Sequence, residues 1–429
     1  MANINLTITN DSVQEISFNS SPVDELYYNG DKVWPNKYLD GFLKFDSPAV
    51  NELIIEKDWS ADSVYKLYMS LNGGPWTLAS RRDDVVLFGG SLGSLRFYGD
   101  YDTTNGQPHT SFLSFSQGTS RTGSPITVSG TLLSLYYPMV TEDDTRTMVS
   151  ERMFAGVTDL HSATGLKMPI CFSRGRACAN MFAGTNLVYP PDLPAMSLSN
   201  ECYNRMFAEC YLLERAPDLP AVGLVEGCYS NMFLNCKSLT HVPDLPAKTL
   251  AKQCYMQMFK GCEALEEAPT IAATVMAYAC CLAMFEGCTS LTAAPELPAK
   301  VLANDCYNSM FLSCSSLRTT PDLPALNAVP GCYWSMFEKC VSLTSMHMCI
   351  INQVDAYALH MLSGCQGIKR IEVDFTGWFG SSSGFNSNFG TKYWVNGAFP
   401  TTGTFVKPAS VQDIFDTSHI PKGWTVVNK

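Results

Sequence analysis

Cys-x-x-x-Met-Phe-x-x-Cys recurs through the middle of this chain with its first Cys at 202, 228, 254, 280, 306 and 332, five intervals of 26 residues without a slip. A fixed period of this length is the signature of a repeat array, in which each unit packs mainly on its neighbours. Such an array builds a long surface and rarely a deep catalytic pocket. It also relaxes the domain count that 429 residues would otherwise imply, because an array lengthens without deepening its core.

Comparing the repeats with one another separates fixed positions from free ones. The fixed set reads as structural core: Cys202, Met206, Phe207 and Cys210, then Cys228, Met232, Phe233 and Cys236. Cys254, Met258, Phe259 and Cys262 follow, and Cys306, Met310, Phe311 and Cys314 repeat the pattern. The Met-Phe pair falls at 153, 181, 206, 232, 258, 284, 310 and 336, with Met361-Leu362 last, so nine turns are expected, irregular at both ends. Leu250, Cys254 and Met258 at i, i+4 and i+8 predict a short helix that starts after Pro246 and ends at a left-handed Gly261. Ser238 to Val242 reads as a strand, closed by Pro-Asp-Leu-Pro-Ala at 243–247.

Two positions after each repeated Leu are left free. The first row is Glu214, Thr240, Glu266, Thr292, Arg318 and Thr344. The second is Arg215, His241, Glu267, Ala293, Thr319 and Ser345. Stacked strands would space such a row about 5 Å apart. The candidate ligand-contact row is therefore Glu214, Arg215, Thr240, His241, Glu266, Glu267, Arg318 and Thr319, set against the plainer reading of a solvated face.

The flanks read differently. Residues 1–38 form a leading attachment unit: Ile4, Leu6 and Ile8 alternate as in a strand, and Asn29-Gly30 between Leu26–Tyr28 and Lys32–Trp34 signals a hairpin. Residues 39–140 read as an all-β, sandwich-like domain, with strands at Phe42–Phe45, Tyr65–Leu71, Val85–Phe88, Leu95–Tyr98, Phe112–Phe115 and Leu132–Tyr137. Gly89 to Gly93 mimics a phosphate loop but lacks the following Lys-Ser/Thr, so a turn is expected. After a polar connector, the array spans 151–365. Residues 366–429 form a cap crowded with aromatic side chains such as Phe375, Trp378 and Trp394, and end in a strand-like Gly423–Val427.

Several function classes are disfavoured. A net charge of −11 and no basic run argue against nucleic-acid binding. No stretch reaches the roughly 18 apolar residues of a membrane helix. The N-terminus shows no signal-peptide pattern, so the chain is expected to be made in a cytoplasm unless a processed leader has been removed. The six His match no zinc-protease motif, no Gly-x-Ser-x-Gly exists, and Glu266-Glu267, as adjacent strand residues, should face opposite sides rather than act as a pair. No enzyme, cofactor or metal is expected. The seventeen Cys leave a disulfide framework or metal sites open. Packed free thiols are the more economical reading, because a spacing of eight is not a zinc-ligand spacing.

Leu-Pro-Ala-x-x-Leu-x-x-x-Cys-Tyr-x-x-Met-Phe-x-x-Cys-x-x-Leu, as at Leu245 to Leu265, resembles the repeat of BspA-type leucine-rich-repeat proteins of Bacteroides-type bacteria and their phages. Leu71–Thr77 and Val128–Leu135 resemble the β-domain that precedes such arrays, and Gly403–Lys407 and Ile420–Val426 their ending. The family pattern is broken at Pro269–Ala273 and at Cys281, where one irregular turn is expected. Leu26 to Pro35 is similar to a short hairpin near the start of phage tail and virion proteins.

The resemblance implies an α/β leucine-rich-repeat solenoid of nine turns, preceded by the β-domain and closed by the cap. It further implies a bacteriophage virion structural protein of tail or tail-fibre type, made in the host cytoplasm. Such a protein would join other virion proteins through its N-terminal region and contact a host-surface glycan or protein. A bacterial cell-surface adhesin and a head-fibre decoration protein are the alternatives. A homo-oligomer, such as a trimer, fits the fibre reading, although no heptad marks it.

Overall fold

The computed structural model describes residues 4–9, 12–18, 21–22, 26–28, 31–34, 42–57, 65–79, 84–101, 113–118, 123–132, 150–172, 174–354, 357–378 and 390–429. The chain forms two compact units, Met1–Met148 with Asp159–Met168, and Val149–Thr158 with Pro169–Lys429. It is mostly sheet and turn, with no α-helix among the described residues and a short 3₁₀ turn at Gly90–Leu92.

In the first unit, β1 (Ile4–Thr9), β2 (Ser12–Phe18) and β3 (Ser21–Pro22) form one small sheet. β4 (Leu26–Tyr28) and β5 (Asp31–Trp34) form the antiparallel hairpin that Asn-Gly signals. Two larger sheets follow. One contains β7 (Asn51–Lys57), β10 (Asp84–Phe88) and β12 (Leu113–Gln117), in the order β10-β7-β12. The other runs β14-β13-β6-β11-β8-β9. Its strands are β6 (Leu43–Asp46), β8 (Tyr65–Leu71), β9 (Thr77–Leu78), β11 (Leu95–Tyr101), β13 (Ile126–Thr131) and β14 (Leu160–Lys167).

Alternation turns Leu43, Phe45, Leu53, Ile55, Leu95, Phe97, Phe115 and Val128 inward, all at 2% exposure or less. Phe45 of one sheet meets Phe115 of the other with ring centroids 5.0 Å apart, and Phe97 meets Phe115 at 5.2 Å. The two sheets therefore share a core. β7, β13 and β14 lie outside the expected strands, whereas of the expected Leu132–Tyr137 strand only Leu132 lies within the described residues. Gly130 takes φ +88, and a Cβ there would collide with the Phe42 carbonyl of the neighbouring strand. The Gly89–Gly93 segment is a tight turn, its Gly89 N–H bonding the Gly93 carbonyl at 2.7 Å.

The second unit carries the repeats, and here the expected helix is corrected. Residues 201–210 form a strip of overlapping turns. Cys202, Asn204, Met206, Ala208 and Cys210 donate their N–H groups to the residue three positions back, Cys202 to Ser199 just before the strip. Glu201, Tyr203, Arg205, Phe207 and Glu209 donate theirs to Glu226, Cys228, Ser230, Met232 and Leu234 of the next repeat. Every N–H in the strip is thus satisfied, half of them by the neighbouring repeat. Every fourth residue has positive φ (Glu201, Arg205 and Glu209, then Gln253, Gln257 and Gly261), so Gly261 is left-handed as expected but is the third such position rather than a helix end.

A helix and this strip place apolar side chains at the same i, i+4, i+8 positions. The stacking distance separates them. Phe207, Phe233, Phe259, Phe285, Phe311 and Phe337 stack near-parallel, with successive centroids 5.6 Å apart. Packed helices need about 8–10 Å between axes, so only a thinner strip fits that rise. Tyr203, Tyr229 and Tyr255 form a second ladder at 5.9 and 6.2 Å, resumed by Tyr307 and Tyr333 at 6.3 Å.

Cys281 interrupts the tyrosine ladder but not the backbone, since the Cys281 N–H still bonds the Cys306 carbonyl at 3.1 Å. Ile271 and Ala273 remain buried where Leu and Ala stand elsewhere, so the expected irregular turn is regular. All seventeen cysteines are free thiols, and all but Cys171 and Cys349 are buried.

The strip recurs once more than the nine expected turns. Ala358, His360, Leu362 and Gly364 donate to Gly390, Lys392, Trp394 and Asn396, which makes 390–397 a further segment with Trp394-Val395 in the Met-Phe slot. The sheet β15 (Ser345–Met348), β16 (Arg370–Val373), β17 (Thr404–Lys407) and β18 (Thr425–Asn428), two of whose strands precede this segment and two follow it, is wholly parallel. Trp378, Trp394 and Trp424 are buried there, and their indole N–H groups donate to the carbonyls of Gln412, His419 and Pro400 at 2.8–2.9 Å. Phe379, Phe385 and Phe389 lie outside the described residues.

Candidate functional site

The free positions after each repeated Leu come together as a continuous exposed row. Leu213, Leu239, Leu265, Leu291, Leu317 and Leu343 are fully buried, and the chain then crosses to the surface. Glu214, Arg215, Thr240, His241, Glu266, Glu267, Arg318 and Thr319 are all exposed. Glu266 and Glu267 are both exposed. The segment is not a regular strand there: it pairs through single parallel bridges, Arg215 to His241, Glu267 to Ala293, Ala293 to Thr319 and Thr319 to Ser345.

Backbone bonds hold the row in register. The Glu214 carbonyl accepts from the N–H groups of Thr240 and His241 at 3.0 and 3.1 Å. Thr292 donates to Glu266 at 3.3 Å, Arg318 to Thr292 at 3.1 Å and Thr344 to Arg318 at 3.2 Å. Two threonines repeat the bond with their side chains: Thr240 Oγ1 donates to Glu214 O, and Thr344 Oγ1 to Arg318 O, both at 3.2 Å. Both signs of charge occur along the row, with Glu214 beside Arg215, then Glu266 and Glu267, then Arg318.

Sequence reasoning missed two further features. One is an apolar edge at the positions after the buried Ala of Leu-Pro-Ala: Met196, Val222, Val275, Val301 and Leu326 are exposed, Val301 at 76%. Lys248 and Lys300 share the same slots, and they mask the pattern in the sequence. The other is a cluster on the outer face of the last sheet, where one ligand atom each from His347, Cys349 and Asp374 lies within 4.8 Å of the others. His347 Nε2 is 3.1 Å from Asp374 Oδ2. The Lys429 ammonium donates to Asp374 Oδ1 and, at 2.9 Å, to Glu372 Oε1. Part burial, then the charge of Asp374, pushes the Cys349 thiol up. The bond from Lys429 holds Glu372 below the usual carboxylate range.

Most of the repeated cysteines are held as thiols, the exception being Cys280, which a hydrogen bond from Cys281 pushes down. Burial pushes Cys202, Cys210 and Cys314 up to about 12, away from the thiolate form that reacts. No helix of the described residues is long and apolar enough to cross a membrane. Compared with known proteins, the chain matches no family model, no curated protein and no solved structure.

Proposed function

We propose that this chain is a leucine-rich-repeat solenoid of the BspA type, serving as a virion structural protein of tail or tail-fibre kind. In this reading the repeat row contacts a glycan or protein on the bacterial host surface, and residues 1–38 join the particle. The observation that carries it is the contrast within one repeat. An unvarying buried core of Cys, Met and Phe supports a row of unlike, exposed residues held in register by backbone bonds, from Glu214 to Ser345. A row of this kind presents diverse polar groups at about 5 Å intervals on a rigid support, which suits an extended ligand.

Two experiments test the two halves. Arg215→Ala with His241→Ala should lower binding to host cells at least tenfold without loss of folding; undiminished binding would remove the row from the interface. Deleting residues 1–38 should leave the protein out of assembled particles; normal incorporation would defeat the virion role.

A further inference from the structure

We propose that His347, Cys349 and Asp374 bind a zinc-class divalent cation on the outer face of the C-terminal parallel sheet. The fold itself brings the three donors together. His347 and Cys349 stand two residues apart at the end of β15, so they point to the same face. Asp374 follows β16, and its N–H bonds the Met348 carbonyl at 3.1 Å, which seats it beside Cys349 on the adjacent strand. His347 therefore projects from a paired strand and Asp374 from backbone bonded to it, with Cys349 directly after the strand.

The carboxylate is oriented. Asp374 Oδ1 accepts from the Lys429 ammonium, and Oδ2 is turned to within 3.1 Å of His347 Nε2. An outer hydrogen bond on the far oxygen is how ligating carboxylates are commonly held. Tetrahedral zinc, with bonds of about 2.0–2.3 Å, sets its ligand atoms roughly 3.3–3.8 Å apart. The three donor atoms already lie within 4.8 Å of one another, so side-chain rotations of about 1 Å close the site.

An imidazole, a thiolate and a carboxylate form a borderline-soft set that favours zinc over magnesium or calcium. On binding, the Cys349 S–H bond breaks, the S–Zn bond forms and the proton leaves to solvent. The fourth position stays open to water or to a donor from a bound partner. The ion would join two successive strands near the end of the array.

Cobalt(II) is the probe, titrated into the untagged, reduced full chain. The expected result is one equivalent bound, with a near-ultraviolet thiolate-to-cobalt band that zinc displaces. Cys349→Ser should abolish that band, and His347→Ala and Asp374→Asn should each weaken binding at least tenfold. Lys429→Met should weaken it roughly tenfold, as a lost outer hydrogen bond does. Cys171→Ser, which removes the other part-exposed thiol, should change nothing. Absence of the band in the folded chain, its survival in Cys349→Ser, or unaltered affinity in both His347→Ala and Asp374→Asn would overturn the site. Far-ultraviolet circular dichroism of each metal-free variant separates loss of the site from loss of the fold.

Discussion

The thiol of Cys262 donates to the carbonyl oxygen of Phe233 in the preceding repeat across 3.2 Å, while the same oxygen accepts the N–H of Cys236 at 3.1 Å. The relation recurs from Cys210 and Phe182 to Cys365 and Phe337, at 3.0–3.2 Å throughout. It explains the second Cys of each repeat: a small apolar side chain that also carries one donor for a lone pair otherwise buried without a partner.

Cys262→Ala removes that donor and the packed sulfur together. It should destabilise the second unit by about 1–2 kcal/mol, measured as a fall in the urea midpoint. An unchanged midpoint would show that the thiol ladder contributes nothing.

The buried thiols also set an alkaline limit. Cys210, Cys314 and Cys365 are pushed up to about 12 by burial, against an ordinary 9.0. A raised value in the folded state means that the fold disfavours the thiolate. Their contribution is therefore complete below about pH 9 and is lost as pH rises from there toward 12. Thermal melts from pH 7 to 11 should fall above pH 9. Iodoacetamide at pH 8 should modify Cys171 and Cys349 in the native chain and the other fifteen only after denaturation, as read by mass spectrometry.

At Cys281 the tyrosine ladder has a gap, and Met276 stands where adjacent repeats have Leu250 and Leu302. The Tyr307 hydroxyl lies 3.8 Å from the Met276 sulfur. The longer methionine therefore offsets the missing ring. Cys281→Tyr alone should overpack and destabilise by about 1–3 kcal/mol. Combined with Met276→Leu it should be neutral or stabilising, so the double-mutant cycle should give a coupling of at least about 1 kcal/mol. Strict additivity would show that the two positions do not compensate.

Gln257 holds φ +54 in the turn strip. Gln257→Gly should raise stability by up to about 1 kcal/mol, because glycine accepts that conformation without strain. Gln257→Val should lower it, since a β-branched residue resists the left-handed region. The reverse order in urea melts would contradict the turn strip.

Much of this fold is legible in the sequence where a single period decides it. The buried Cys, Met and Phe of each repeat, the hairpin of β4 and β5, and β8 from Tyr65 to Leu71 follow from spacing and turn residues alone. Apolar spacing does not choose between helix and turn strip. That choice rests on the 5.6 Å step between Phe233 and Phe259, a property of neighbouring repeats. The segment at Trp394-Val395 is hidden because its residues differ and its spacing lengthens. β14 is hidden because it pairs in parallel with β13 from beyond an intervening connector. His347 and Asp374 are 27 residues apart, and nothing local links them until the strand register is known.

The turn strips have a direction. Tyr203 gives its N–H forward to Cys228, Tyr229 gives its own forward to Cys254, and the carbonyls that receive them face backward. Any interior unit therefore offers the same socket to the one before it and the same plug to the one after. Loss or duplication of a whole 26-residue unit in the gene would reseal with Phe233 against Phe285 as it now lies against Phe259. The repeat array could thus change by single steps over generations, while the segments that flank it stayed as they are.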